Sequence, residues 1–240
     1  MSDFTAEDLF DAVDRNVREL LERSGINEPP IDAISLAQHG FNLLVTEAEE
    51  EDEPQYGDRP RRKRPGEIVL RVDLSDEGRN AVCAKACAKE LLPRVLSKLG
   101  VTPGTENRGA QNPLLAVIVP RLLLPTQWFE KDAHKAGFDL VPLKDRYSTV
   151  TYEMIALRLL DLDEPCVIAI VDDGAVATRR GNRSQAGRVL TSAETKCIEQ
   201  VVTEREPQLV RREGWTTWGW PIPNGPFNRI ILRSVPDDLY

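Results

Sequence analysis

Two cysteines and two lysines at helical spacing are the residues of this sequence that could take part in chemistry. Cys83 and Cys87 are four residues apart, and so are Lys85 and Lys89, within a stretch that predicts one long helix. Because residues four apart share a helix face, the cysteines could present two thiolates to one metal ion. We expect instead that they pack the helix against the core, as free cysteines commonly do, and keep the metal site as the alternative.

The other possible metal ligands do not complete such a site in the sequence. A stable zinc site usually has four ligands, and Cys166, Cys197, His39 and His134 show no paired ligand spacing. With only two histidines, far apart, the composition disfavours any site that needs two or three imidazoles. The sequence therefore predicts no metal ion and no other cofactor.

The two lysines have two interpretations. Lys85 and Lys89 can be the solvated face of an amphipathic helix. They can also line a positively charged cleft that holds an acidic peptide or another anion. A second candidate surface is the cluster of Trp215, Trp218 and Trp220, in which the last two share one strand face. Such a cluster forms either a core layer, which we favour, or an aromatic binding surface.

The intervening segments predict helices first and a mostly antiparallel sheet afterwards. Predicted helices cover 5–24, 31–38, 75–100, a segment opened by Asn112 and Pro113, 126–133, 151–160 and 192–204. Predicted strands cover 41–46, 67–72, 166–171, 175–178, 209–212 and 228–235. The turn Asp172-Asp173-Gly174 predicts a hairpin between 166–171 and 175–178, and Thr5 with Asp8 predicts a capping-box-like start to the first helix. Pro93 and Pro120 fall inside predicted helices, which we expect them to kink or split. The class is α+β, with an N-terminal helix at 1–27, a domain at 28–161 and an α/β part at 162–240.

A strongly charged insert separates the first two predicted strands. Residues 47–53 hold six acids in seven positions, and residues 59–64 hold five bases in six. Neither run has an apolar face, so we expect a flexible, solvated loop over 47–66. Contact of the basic run from Arg59 to Arg64 with nucleic acid or an acidic partner is the alternative.

The order of elements, together with several short motifs, resembles the ImmA/IrrE family of zinc-dependent peptidases. The run Leu122 to Pro125, followed by Trp128 and Phe129, is similar to the family's LLMP landmark. Residues 143–148, and then Glu153, Ala156 and Arg158 with Leu159, are similar to a later family stretch. The resemblance covers about residues 28–175. It implies a zincin-like helical domain with a small N-terminal sheet, in which the long helix carries an HExxH motif.

The sequence departs from that family at every position that zinc chemistry requires. The best register places Lys85 and Lys89 at the two histidine positions and Ala86 at the general base. A lysine ammonium has no lone pair to give a metal, and alanine cannot accept a proton. The region 107–119, where the third ligand is expected, contains no Asp or Glu. Asn112 lies within it and is, with Lys85 and Lys89, a possible binding residue of the remaining cleft.

The resemblance and the lost motif together imply a catalytically inactive homologue that acts as a binding or regulatory module, with a regulatory protein or peptide as its partner. Two alternatives stay open. One is a residual peptidase with a rebuilt site at Cys83 and Cys87 or a metal supplied by a partner. The other is a transcriptional regulator that uses a helix-turn-helix-like segment at 148–158 and the basic run at 59–64.

Composition supports a folded cytoplasmic protein. The chain has 240 residues, of which 41% are hydrophobic and 29% charged, enough to bury a core. No apolar run is long enough to cross a bilayer, and the first residues lack a secretory pattern, so we expect reduced thiols. The net charge of −8 disfavours non-specific nucleic-acid affinity.

Overall fold

The computed structural model describes residues 4–48, 66–101, 108–183, 186–223 and 228–237. The chain divides into two compact units, one from 1–132 with 145–150 and the other from 133–144 with 151–240. The predicted combination of helices with a small N-terminal sheet and a C-terminal antiparallel sheet is confirmed. Within the described residues, no helix combines the length and the apolar character needed to span a membrane.

Helices and a two-stranded parallel sheet build the first unit. Its elements are α1 (Ala6–Arg23), α2 (Ala33–Ser35), a π-type turn (Leu36–Gly40), β1 (Leu44–Ala48), β2 (Glu67–Arg71), α3 (Asp76–Lys98), α4 (Arg108–Leu123) and the first part of α5 (Thr126–Lys135). The predicted first two strands do pair, and they run in the same direction, with Leu44 beside Glu67 and Ala48 beside Arg71. The core of the unit forms where α1, α3 and α4 pack together.

Sequence signals set the ends of α1. Thr5 accepts a hydrogen bond from the backbone N–H of Asp8, and the Asp8 carboxylate accepts one from the backbone N–H of Thr5. This reciprocal capping box is the one the sequence predicts, although aspartate replaces the usual glutamate. Gly25 follows the helix with a positive φ of 68°, which terminates it.

Tertiary packing overrides the local signals in α3 and α4. The sequence predicts a kink or a split at Pro93 and Pro120, and the structure excludes the split, because both helices continue through their internal prolines. Each proline removes one backbone hydrogen bond, whereas Leu91, Leu92, Val95 and Leu96 around Pro93 are buried and hold that segment in place. The prediction that Asn112 and Pro113 open a helix is also wrong, because α4 already begins at Arg108.

Most of the predicted charged insert, 49–65, lies outside the described residues. Its first residues, Glu47 and Ala48, belong to β1, and Gly66 forms the turn before β2. The carboxylate of Glu47 lies 2.5 Å from Nη1 of Arg79 on α3. The strand therefore begins and ends later in the sequence than the predicted 41–46, and an ion pair links it to the long helix.

A five-stranded antiparallel sheet organises the second unit. Its elements are the remainder of α5, α6 (Leu140–Arg146, partly in this unit), α7 (Tyr152–Arg158), β3 (Val167–Asp172), β4 (Ala175–Gly181), α8 (Ser192–Glu204), β5 (Gln208–Arg212), β6 (Trp215–Ile222) and β7 (Arg229–Pro236). The strand order is β4-β3-β7-β6-β5. The predicted hairpin between β3 and β4 is confirmed. Its turn residues Asp173 and Gly174 both have positive φ, 47° and 83°.

Helix α8 packs on one face of that sheet through a small apolar cluster. Cys197 and Val201 of α8 lie against Leu232 of β7 and Ala169 of β3. Gly219 of β6 faces this helix, and a Cβ at that position would stand 2.7 Å from the Cys197 sulfur. A strand glycine is therefore needed for the helix to approach the sheet this closely.

Candidate functional site

Helix α3 places the two pairs of candidate residues on different faces. Cys83 and Cys87 are fully buried, while Lys85 and Lys89 are exposed. The helix has a buried and an exposed face because apolar and small residues recur at three- and four-residue steps on its inner side. The thiols therefore face the core and the ammonium groups face solvent.

Burial makes the two thiols poor thiolates. Burial, followed by the charge of Asp32, raises the pKa of Cys83 to about 11. Burial, followed by the interaction with Cys83, raises the pKa of Cys87 to about 12. The Cys87 sulfur lies 3.9 Å from the carbonyl oxygen of Ala33, its only hydrogen-bond partner among the described residues. At neutral pH both side chains are protonated apolar groups that fill the core.

The donor set does not fit a zinc ion. In the part of the chain that the structure describes, no three His, Cys, Asp or Glu side chains converge as metal ligands. His39 is exposed in the turn after α2, and Nε2 of His134 lies 3.0 Å from a carboxylate oxygen of Glu164. The two histidines belong to different units, and each has a local environment of its own.

The outer face of α3 carries exposed cationic side chains. Neither Lys85 nor Lys89 forms an ion pair with any described residue. Val82, which is 38% exposed, lies three residues before Lys85 and shares its side of the helix. Asn112 of α4, also a candidate, is exposed as well. This stripe of α3, comprising Val82, Lys85 and Lys89, offers two cations beside an apolar contact and has no catalytic base.

Comparison with protein-family models and with the sequences of curated proteins gives no match. A solved structure with a similar fold is a Mycobacterium tuberculosis transcriptional regulator, with a TM-score of 0.60 and 17% sequence identity. The match covers 95% of this chain and 79% of that one. The likeness therefore extends over nearly all of the chain and concerns its fold.

The tryptophan cluster is used for packing within the second unit. Trp220 is buried, and its indole N–H donates to the Asp139 carboxylate at 2.9 Å. The buried guanidinium of Arg233 lies 5.2 Å from the centre of the Trp218 ring and 4.4 Å from that of Phe138. Alternation along β6 places Trp218 and Trp220 on one face, as the sequence predicts. These rings stabilise the sheet and its buried cation.

The segment with helix-turn-helix character lacks an exposed basic surface on α7. Arg158 has a side chain that is 1% exposed and is ion-paired with Asp161 at 2.7 Å. Glu153, on the first turn of α7, lies 2.5 Å from Nη1 of Arg229. Base reading requires side chains that reach a groove of the duplex. Arg158 is buried, and Glu153 is an acidic group paired with Arg229.

The second unit contains charged residues that are not among the candidates predicted from the sequence. Glu194 is completely buried, and its side chain lies 3.2 Å from the guanidinium of Arg179. The Thr191–x–x–Glu194 spacing before α8 is a capping-box signal that could have drawn attention to it. Asp173 and Arg205 line a groove, and no sequence signal links these two residues.

We expect all four cysteines to resist alkylation in the folded protein at pH 8, since all are buried thiols. Their native pKa values, about 11 for Cys83 and about 12 for Cys87 and Cys197, exceed the ordinary 9.0. Between these values the unfolded chain loses thiol protons that the folded chain retains. Stability should therefore be fully present below pH 9 and fall as the pH rises further.

Iodoacetamide labelling followed by mass spectrometry, with and without urea, measures the thiol reactivity. Chemical denaturation between pH 7 and about 10.5 measures the fall in stability. Rapid labelling of Cys83 or Cys87 in the native protein would contradict the buried assignment.

Proposed function

We propose that the chain is a catalytically inactive homologue of the ImmA/IrrE peptidases that acts as a regulatory binding module in the cytoplasm. The observation that carries the proposal is the two-sided arrangement of α3. The positions that the resemblance gives to metal ligands hold exposed Lys85 and Lys89, and the only nearby thiols are turned into the core. A helix with this arrangement presents charge to a partner and does not activate a water molecule.

The similar fold of the mycobacterial transcriptional regulator supports a role in regulation. This similarity does not identify a binding partner, because the two sequences share only 17% identity. The chemistry of the partner follows from the stripe of α3. Two ammonium groups one helical turn apart have no ion-pair partner in the part of the chain that the structure describes. Beside exposed Val82, they suit a peptide segment that combines carboxylates with an apolar side chain.

A residual peptidase is the less favoured alternative. It needs Cys83 and Cys87 as ligands, and both side chains are buried with a raised pKa. Zinc bound there would have to open the core and deprotonate two thiols. Stoichiometric zinc in protein purified without chelator, lost together with peptidase activity in a Cys83→Ser/Cys87→Ser variant, would establish this alternative.

A transcriptional regulator that binds DNA is the second candidate function, favoured by the similar fold of the mycobacterial transcriptional regulator. The basic run at 59–64 that would contribute to it lies outside the described residues, and Arg158 of α7 is buried. Salt-sensitive binding of a DNA duplex that disappears when Arg61 to Arg64 are neutralised would support this second function. Absence of binding at low salt would remove it.

The proposal predicts that Lys85→Glu/Lys89→Glu weakens binding of an acidic peptide at least about tenfold, because two attractive charges become repulsive. The probe is a short fluorescein-labelled peptide of glutamate and leucine, measured by fluorescence anisotropy at low and high salt. The matched control is Lys131→Glu/Lys135→Glu. These lysines are also four apart, are exposed on α5, and give the same change in net charge.

The control should lose no more than about twofold in affinity, which is the effect of net charge alone. Equal weakening by both double variants would show that the peptide responds to overall charge and would contradict a site on α3. Failure of the wild-type chain to bind the peptide at low salt would contradict the proposed partner chemistry.

A further inference from the structure

A groove of about 780 Å³ opens in the second unit between α8 and the strands β6 and β7. This volume lies within the range typical of small-molecule sites. Its apolar lining is drawn from one side of α8 and from two strand ends, and includes Ile198, Val201, Val202, Pro221, Ile222 and Ile230. Val202 is 62% exposed, so its side chain is accessible to a ligand in the groove.

Three charged side chains belong to residues that line the groove, and one of them is neutralised. Arg229 makes two hydrogen bonds to Asp172, at 2.7 and 2.8 Å, and a third to Glu153 at 2.5 Å. Its guanidinium is therefore matched by two carboxylates. Asp173 and Arg205 remain as the charges available to a ligand.

The carboxylate of Asp173 is fixed in position by the start of β7. Its Oδ1 atom accepts hydrogen bonds from the backbone N–H and the side-chain amide of Asn228, both at 3.0 Å. The backbone of Asp173 is held in turn by the carbonyl oxygen of Asn228. Its other oxygen, Oδ2, has no hydrogen bond to any described residue, so one oxygen of an oriented carboxylate is left for a cationic group.

Arg205 is placed where α8 ends. Its φ of 57° is left-handed, and its backbone N–H donates to the carbonyl oxygen of Val201 at 2.9 Å. Its side chain is exposed and forms no ion pair with a described residue, including the neighbouring Glu204 and Glu206. The guanidinium can therefore donate two hydrogen bonds to a carboxylate of a ligand in the groove.

We propose that this groove binds a small zwitterion with an apolar side chain, namely an apolar amino acid or a short apolar peptide with free termini. The ammonium group pairs with Asp173, the carboxylate pairs with Arg205, and the side chain covers Val202 and its apolar neighbours. An apolar carboxylate can pair only with Arg205, and an apolar amine only with Asp173. A ligand that carries both charges is preferred because it forms two ion pairs in the groove instead of one.

The inference is tested by isothermal titration calorimetry of the full chain with L-leucine and with trileucine. Heat with either ligand supports the site, and the tighter of the two defines its size. Asp173→Asn and Arg205→Gln should each weaken binding about tenfold or more, the effect of one lost charge-assisted hydrogen bond. Asparagine tolerates the left-handed turn and keeps an oxygen for Asn228, so Asp173→Asn preserves the hairpin.

Val202→Arg, which fills the groove from an exposed position, should abolish binding without unfolding the chain. Arg211→Gln, an exposed arginine on β5 that does not line the groove, is the matched control and should leave affinity unchanged. Equal affinity for N-acetyl trileucine amide, which has no charged terminus, would overturn the proposal, as would the absence of heat with both free ligands. The Lys85→Glu/Lys89→Glu variant should bind normally, which separates this site from the acidic-peptide site on α3.

Discussion

Replacing Glu194 by alanine is expected to destabilise the second unit by about 3–5 kcal/mol, the cost of leaving a buried charge without its partner. The Glu194 carboxylate, fully buried, accepts hydrogen bonds from Arg179, from the hydroxyl of Ser234 and from the backbone N–H of Thr191. The substitution removes all of these hydrogen bonds and leaves the guanidinium of Arg179, whose side chain is 6% exposed, without its carboxylate partner. Urea denaturation followed by tryptophan fluorescence measures the effect, because Trp215, Trp218 and Trp220 all lie in this unit.

The matched control is Glu199→Ala on the same helix. Glu199 is exposed, and its ion pair with Lys196 lies at the surface, so its loss should cost less than about 1 kcal/mol. Alanine has a higher helix propensity than glutamate, so propensity cannot account for a loss at either position. Equal destabilisation by the two variants would therefore contradict a special contribution of the buried network at Glu194.

The second large effect is expected at Asn80, where alanine should destabilise the first unit by about 3 kcal/mol. The Asn80 side chain accepts a hydrogen bond from the backbone N–H of Ala33 at 2.7 Å. It donates to the carbonyl oxygens of Ile31, at 3.4 Å, and Thr149, at 3.1 Å. Alanine leaves these backbone groups without that partner, and each buried unsatisfied group costs about 1–3 kcal/mol. Urea denaturation followed by far-ultraviolet circular dichroism reports the loss, since helices dominate this unit.

Asn80→Asp separates hydrogen bonding from side-chain volume. Aspartate keeps the shape and an oxygen for Ala33 but cannot donate to Ile31 and Thr149 when ionised. We expect it to be destabilised as well, with the defect relieved at low pH, where a protonated carboxyl can donate. Arg94→Ala, an exposed change on the same helix, should alter stability by less than about 0.5 kcal/mol. A stable Asn80→Ala variant would show that water replaces the side chain.

Local sequence signals were sufficient for much of the fold. The capping box at Thr5, the Asp173–Gly174 hairpin turn and the helix at 192–204 all lie where the sequence predicts them. Each depends on interactions between residues a few positions apart, which the order of side chains specifies directly. The same signals did not indicate that α3 and α4 continue through Pro93 and Pro120 or that α4 begins before Asn112. Around the two prolines, burial of neighbouring apolar side chains outweighs the local preference.

The sequence by itself determined that α3 carries two cysteines and two lysines at helical spacing and no histidine, and hence that the lysine positions cannot ligate zinc. Only the tertiary structure decided which pair faces solvent, because helical spacing fixes that two residues share a face but not what covers that face. Packing places Cys83 and Cys87 in the core, where loss of solvent raises their pKa, and leaves Lys85 and Lys89 outside. Packing also places Asp173 and Arg205, which are distant in the sequence, in the lining of one groove. Only tertiary contacts between distant segments can bring such residues together.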